Sequence, residues 1–267
     1  RSKKRSTYTC LFFLQKKKSK SVFYAMNEEC DYLPEKQQIE ISYSSLIPEK
    51  GWNLNKHLEM QAFECEGIPI KDYCQTRHGI ATLCNDVYVF TPESENDEYY
   101  RINKKGRLYN IERGVCRNIV NSNKLNSEVT VSSIVEKVIF PYIQADNGKM
   151  TIIGEQEFAE KYPNAYNYLL DEKVVLRKRD KGHTDKYSAW YAYGRTQSLC
   201  LPYYKLFFPK IANRPLRCQL VGDSNLMLYN GMAFVNQEKE PLLILQKVLE
   251  SDLFWNYLIA NGKPYMS

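Results

Sequence analysis

Hydrophobic residues along this chain fall mostly in short runs or alternate with polar ones, and only a few stretches carry the spacing of an amphipathic helix. Residues 7–14 read as a buried strand and 21–26 as a second, joined by a basic turn into a hairpin. A lone hairpin is marginal in water, so this one is expected to belong to a larger sheet. Residues 28–50, acidic and interrupted by Pro34 and Pro48, read as a linker. A helix is expected over 53–66, with Leu54, Leu58, Ala62 and Cys65 on one face and Gly67 ending it. Hairpins are expected over 80–90, turning at Asn85-Asp86, and over 99–110, turning at Lys105-Gly106. Residues 129–143, 150–153, 187–193, 206–212, 219–221 and 231–235 read as strands. Residues 155–170 read as helix, interrupted at Pro163, and 241–261 as one or two helices with Ser251-Asp252 as a cap between them. Many short strands with a few helices, and no βαβ alternation, predict an α+β fold. The domain reading is a hairpin at 1–27, a linker, and one β-rich domain of short mixed strands with several helices over 51–267.

Composition sharpens this picture at three points. The hydrophobic fraction of 43% supports a real core, and 21 tyrosines offer either strand-forming core residues or an amphipathic binding surface. The formal charge of +6 is uneven. Residues 1–20 carry eight Lys or Arg and no acid; residues 101–124 carry seven against Glu112; residues 173–217 carry eleven against Asp180 and Asp185. Clustered cations attract phosphates even on a nearly neutral molecule, though such runs also serve as solvated faces. The eight cysteines include no Cys-x-x-Cys pair and the three histidines are scattered, so no metal signature is present and reduced thiols in a cytoplasmic protein are expected. The apolar run near the start ends at Lys16, Lys17 and Lys18 without a cleavage site, and no stretch approaches a membrane-spanning length, so neither a signal peptide nor a membrane partner is expected.

The chemistry-bearing motifs are notable for what they lack. There is no Pro-Pro pair, hence no Asn/Asp-Pro-Pro-Tyr/Phe clamp for a flipped base. There is no Gly-x-Gly and no phosphate-binding loop, so no catalytic, cofactor or metal residue is assigned. Cys74 and His78 fall in a turn and read as a structural thiol and a surface imidazole.

Several segments, taken in order, carry a resemblance. They are Trp52-Asn53-Leu54 and Gly67-Ile68-Pro69-Ile70-Lys71-Asp72, then Arg77-His78-Gly79-Ile80-Ala81-Thr82 and Asn85-Asp86-Val87-Tyr88. Further on come Ile139-Phe140-Pro141-Tyr142, Tyr162-Pro163-Asn164-Ala165, Leu176-Arg177-Lys178-Arg179 and Trp190 through Ser198. The set resembles the C-terminal specificity (target-recognition) domain of TaqI-like and Eco57I-like adenine-specific (N6) DNA methyltransferases. Leu83 stands where that family has a second glycine, a position suited to positive φ. The resemblance implies a Rossmann-like methyltransferase domain on the N-terminal side, of which the opening hairpin would be the last part. That domain would bind S-adenosylmethionine, with none bound by the present residues. Some members of the family also carry an endonuclease domain, and the last residues, 262–267, look like a family segment interrupted before its end. The expected partners are double-stranded DNA and the catalytic domain, within a bacterial restriction-modification system.

On this reading the expected DNA-contacting residues are Arg77, His78, Thr82 and Asn85 in one loop, and Tyr193, Arg195 and Gln197 in another, with Arg177, Arg179, Lys186 and Lys210 from the basic clusters. These residue types donate to phosphates and to base edges in the major groove. Arg195 also reads as a structural ion-pair partner, Arg177 and Arg179 as a solvated edge or turn, Trp190 and Tyr191 as core aromatics, and Tyr162-Pro163-Asn164 as a helix start. Two other functions fit the same features: a standalone specificity subunit of a multi-subunit restriction system, and a non-catalytic protein-interaction domain.

Overall fold

Strand and helix signals organise two separate units, residues 1–65 and 66–267, in a computed structural model that describes residues 13–25, 38–46, 52, 54, 68–126, 128–212 and 214–261. In the first unit, β1 (Ser21–Tyr24) pairs antiparallel with β2 (Ile39–Ser42). The sequence anticipated β1, but β2 arises inside the stretch read as linker, where Ile39 and Ile41 alternate with Glu40 and Ser42. Of the strand expected over 7–14, residues 7–12 lie outside the described residues, and Phe13 and Leu14 are exposed and irregular. The helix expected over 53–66 also lies outside them, apart from Leu54 in a turn.

The second unit opens with α1 (Ile70–Tyr73), β3 (Gln75–His78), α2 (Asn85–Tyr88) and β4 (Val89–Phe90). Next come β5 (Ser94–Glu95), β6 (Tyr99–Lys104), β7 (Arg107–Glu112), β8 (Cys116–Asn121), β9 (Val135–Ile139), β10 (Tyr142–Gln144) and β11 (Met150–Ile152). Three helices follow: α3 (Glu155–Lys161), α4 (Pro163–Asp171) and α5 (Lys173–Arg177). The chain ends with β12 (Tyr204–Phe207), β13 (Gln219–Gly222), β14 (Leu226–Tyr229), β15 (Met232–Asn236), α6 (Glu240–Leu249) and α7 (Asp252–Asn261). One antiparallel sheet has the order β13-β12-β15-β3. A second has the order β14-β8-β9-β4, with β14 parallel to β8. A third is β5-β6-β7, and β10 pairs with β11. This is a mixed α+β fold of several small sheets with interspersed helices.

Local chemistry explains the elements that the sequence foretold. Lys105 (φ 54°) and Gly106 (φ 84°) both have positive φ, the two-residue turn whose twist matches that of paired strands. Pro163 opens α4, where its missing N–H costs nothing. The next two N–H groups, of Asn164 and Ala165, each donate to the Glu112 carboxylate at 2.8 Å. Tyr162-Pro163-Asn164 is therefore a helix start. Ser251 caps α7, its Oγ accepting from the Phe254 N–H at 3.2 Å.

Other expectations are corrected. Asn85-Asp86 begins the single turn α2 rather than turning a hairpin, and this turn buries both Val87 and Tyr88. Residues 187–193 form turns, because side chains rather than a neighbouring strand satisfy their backbone: Tyr142 Oη accepts from the Tyr193 N–H, and Tyr88 Oη donates to the Tyr191 carbonyl. The strand expected over 206–212 stops at Phe207, two residues before Pro209, which has no N–H to continue a ladder. Strands β3, β8 and β14 and helix α5 went unforeseen. β3 is wholly polar and exposed at a sheet edge, and β14 is buried at every position, so neither alternates.

Tyrosine is central to the main core, which gathers Tyr88, Tyr142, Tyr168, Tyr191, Tyr193 and Tyr229 with aliphatic residues. Their hydroxyls do not waste their burial. Tyr168 Oη donates to the Val87 carbonyl, Tyr191 Oη to that of Ile153 and Tyr193 Oη to that of Ile139. Burial pushes the Tyr142 and Tyr191 phenols up to about 12 and holds that of Tyr193 well above the ordinary range.

Lys205 is buried elsewhere in the fold as a cation. It sits in β12 with no exposed surface, and its Nζ donates to the carbonyls of Asp223 (2.6 Å), Pro202 (2.9 Å) and Tyr203 (3.4 Å). Desolvation pushes its pKa down to about 8. The unfolded chain then holds a proton that the folded chain releases, so Lys205 makes stability rise with pH from about 8 toward the ordinary lysine range. Urea unfolding of wild type and Lys205→Met between pH 7.5 and 10 tests this. The wild type should gain stability relative to the variant across that window, and parallel profiles would refute the assignment.

Candidate nucleic-acid interface

The interface is built where β3 leaves its sheet. Gln75, Thr76, Arg77 and His78 are all exposed along this edge strand. Arg77 donates to Gln75 Oε1 from both Nε (3.2 Å) and Nη2 (2.8 Å). A neutral amide thus orients the guanidinium without cancelling its charge.

The chain then passes into a tight seam. The Gly79 N–H donates to the Gly231 carbonyl at 3.0 Å, and the Ile80 N–H to the Leu228 carbonyl at 2.8 Å. A side chain on Gly79 would lie 2.5 Å from Leu228 O and Tyr229 Cα, so only glycine lets these backbones approach. Residues 81–82 next run antiparallel to 194–195, with the Arg195 N–H donating to Ala81 O (3.1 Å) and the Gly194 N–H to Thr82 O (3.2 Å). Gln197 Nε2 reaches back to the Gly79 carbonyl at 3.2 Å. Two segments more than a hundred residues apart, both singled out from sequence, therefore form one surface bearing Arg77, His78, Arg195 and Gln197, all exposed.

Asn85 is half-buried beside this surface. Its Oδ1 accepts from Thr82 Oγ1 at 2.6 Å and its Nδ2 donates to Asn230 Oδ1 at 3.3 Å. Asn230, exposed at φ 53°, belongs to the same surface and was missed, although the Asn230-Gly231 pair after an apolar run is a turn signal in its own right. Leu83, where the resemblance expects a glycine, does adopt positive φ (57°), and it packs against Gly194, where a Cβ would come within 2.4 Å of the leucine side chain.

Three expected contact residues have other work. Thr82 is fully buried, its hydroxyl taken up by Asn85 and by the Cys84 N–H. Tyr193 is 2% exposed, with both its hydroxyl and its N–H engaged in the core. Arg179 is 4% exposed. Its guanidinium donates to the carbonyls of Leu176 (2.8 Å), Thr82 (3.2 Å), Ala192 (2.7 Å) and Trp190 (2.8 Å), and to Tyr88 Oη (3.4 Å). These three brace the surface from behind and offer no atoms to a partner outside.

In front of Arg179, Asp180 holds Lys186 at 2.6 Å and Arg195 at 3.3 Å. Hydrogen bonds from Lys186 and then Arg195 keep its carboxyl below the usual range. One acid between two cations leaves a positive balance, and across 177–195 six Lys or Arg face only Asp180 and Asp185. Arg177 and Lys210 are exposed, but among the described residues no hydrogen bond or ion pair joins either to this surface. Much of the 101–124 cluster is neutralised: Arg107 pairs with Asp171, Lys105 with Glu172, Arg113 with Glu95 and Lys124 with Glu136. Tyr191 is a core residue, and Trp190 packs half-buried against the core, donating to Glu155 at 2.8 Å.

No catalytic constellation accompanies this surface. Among the described residues, no group of three or more His, Cys, Asp or Glu could hold a metal ion, and no helix is long and apolar enough to cross a membrane. A cavity of about 300 Å³ lies beside α1 and β15, lined by Lys71, Asp72, Gln75 and Asn236 among others, and its lining contains no glycine. It therefore lacks the glycine turn against which a nucleoside cofactor lies.

The α+β scaffold thus presents guanidinium, imidazole and amide groups around a glycine seam. No family model matches the chain. It is 25% identical over 213 residues to the type II restriction enzyme and methyltransferase RM.Eco57I of Escherichia coli, covering 74% of this chain and 21% of that protein. It is 26% identical over 171 residues to the type II methyltransferase M.MjaIV of Methanocaldococcus jannaschii, covering 62% of this chain and 54% of that one. The chain is thus distantly homologous to type II restriction and methyltransferase proteins, and it spans about a fifth and about half of the length of these two curated relatives.

Two substitutions probe the scaffold. Gly79→Ala forces a methyl group into backbone and should cost about 1–3 kcal/mol in urea unfolding. Arg179→Lys keeps the charge but cannot fork to four carbonyls, and should cost on the order of 2–4 kcal/mol by the same measurement. An unchanged midpoint in either would remove that residue from its bracing role.

Proposed function

We propose that this chain is the DNA-recognition part of a site-specific adenine-N6 DNA methyltransferase of a restriction-modification system. It grips and reads duplex DNA, while methyl transfer from S-adenosylmethionine belongs to a separate catalytic domain. The observation that carries this reading is the seam joining 77–82 to 194–197. It sets Arg77, His78, Arg195 and Gln197 around one ridge of close-packed backbone, with Lys186 tied to Arg195 through Asp180. Such groups neutralise phosphates and donate to purine edges. The distant homology to type II restriction and methyltransferase proteins supports the same assignment. The reading places the cradle of the methyl donor in the catalytic domain.

Selection of the purified chain on a randomised duplex library at two salt concentrations tests the proposal. Enrichment of a short motif, with affinity falling steeply in salt, is expected. Arg77→Ala and Gln197→Ala should each lower affinity for the enriched site roughly tenfold. Binding that is indifferent to salt, or no binding to any duplex at low salt, would reject the reading in favour of a protein-interaction module.

A further inference from the structure

The β6–β7 ribbon is a second surface that the candidate interface does not use. One of its faces lies on the body of the protein. Ile102 and Ile111 are buried there, and Tyr109 meets Tyr168 of α4 edge to face at 5.0 Å. On the other face the register sets Arg101 opposite Asn110 and Asn103 opposite Leu108, with the half-buried pair Tyr99 and Glu112 at its base, where Glu112 is taken up by the Asn164 and Ala165 N–H groups. The first four are exposed, Leu108 to 58%, and nothing among the described residues covers them. The four include one cation, two amides, one apolar group and no acid.

The hydrogen bonds within the face leave its donors pointing outward. Arg101 gives its Nε–H to Asn110 Oδ1 at 3.4 Å, so both terminal nitrogens keep their fork. Asn103 Oδ1 accepts the Gly106 N–H at 3.0 Å, which steadies the turn and leaves Nδ2 to donate. Lys104 donates to the Asp86 carbonyl and so ties the ribbon to the residue after Asn85, next to the candidate interface.

We propose that this open face lies in the major groove of duplex DNA, where Arg101 and the amides of Asn103 and Asn110 read base edges. This assignment rests on the DNA-recognition reading above and extends it to a second reading element. Beyond the short β5 strand, which pairs only with Tyr100 and Arg101, the hairpin is a two-stranded ribbon, one of the two elements that the groove, about 12 Å wide, admits. The terminal fork of Arg101 matches guanine O6 and N7, an asparagine amide matches adenine, and Leu108 offers an apolar contact for a thymine methyl. Arg101 and Asn103 lie about 7 Å apart along the strand, which spans about two base-pair steps. The positive charge of Arg101, with Glu112 engaged by the start of α4, suits the negative potential of the duplex.

The test repeats the library selection with Arg101→Ala, Arg101→Lys and Asn110→Ala, with a thermal melt to show that each is folded. Each variant should lose discrimination at one or two adjacent base positions by about 5- to 150-fold while keeping a nearly unchanged salt slope. Arg101→Lys should lose it as well, since a lysine keeps the charge without the fork. Wild-type positional preferences in all three variants would overturn the ribbon assignment alone. A uniform loss across all sequences with a shallower salt slope would place Arg101 on a phosphate and also overturn it. Failure of the wild-type chain to bind any duplex would overturn the proposed function and this assignment together.

Discussion

One buried guanidinium holds the candidate interface in shape. Among the described residues Arg179 forms no ion pair; its charge is met by carbonyl dipoles of Leu176, Thr82, Trp190 and Ala192 and by the rings of Tyr88 and Tyr187. Removing a cation from water costs several kcal/mol, and the arrangement persists because all three guanidinium nitrogens donate to acceptors in a region of low dielectric. The acceptors come from three segments that share no sheet. The end of α5, the loop after β3 and the aromatic loop before Gly194 are therefore locked to one another. A surface made of loops gains from this the fixed geometry that binding otherwise has to supply at an entropic cost.

The tyrosine core extends the same logic. Residues 187–201 contain no strand, yet Tyr191, Ala192, Tyr193 and Leu199 are buried. Buried main chain must find partners, and here phenol hydroxyls supply them across segments distant in sequence. The ring fills volume while the hydroxyl selects one register, since a shifted loop would strand a polar atom. The high tyrosine content is thus chiefly architectural. The cationic clusters divide in a similar way: many charges are spent on ion pairs with Asp171, Glu172, Glu95 and Glu136, and fewer stay available to a partner.

The sequence revealed elements whose local chemistry is self-sufficient. Lys105-Gly106 needs only its own turn geometry, Pro163 only its missing N–H, and Ser251 only the residues that follow it. It hid elements defined by distant partners. Polar β3 is a strand because β15 offers it a ladder, and β14 is one because Cys116–Asn121 runs parallel beside it. The candidate interface divides along the same line. Arg77, His78, Arg195 and Gln197 could be picked out by residue type next to a glycine. That Arg179, Thr82 and Tyr193 face inward could not, because an arginine after Arg177 and Lys178 looks like any other member of a basic run until its carbonyl partners are known. Asn230 was legible as half of an Asn-Gly turn and went unused.

The Leu83 and Gly194 contact has a consequence for how such surfaces diverge. Leucine occupies a left-handed backbone position that glycine would hold without strain, and its side chain leaves no room for a Cβ at 194. Gly194 itself has no positive φ to require glycine, so its small size answers only to its neighbour. The two positions form a reciprocal pair in which a single small residue serves both loops. A lineage that restores glycine at 83 frees 194 to acquire a side chain at the rim of the seam, beside Arg195. Binding preference could then drift by exchanging which loop carries the bulk, without any change to the scaffold beneath.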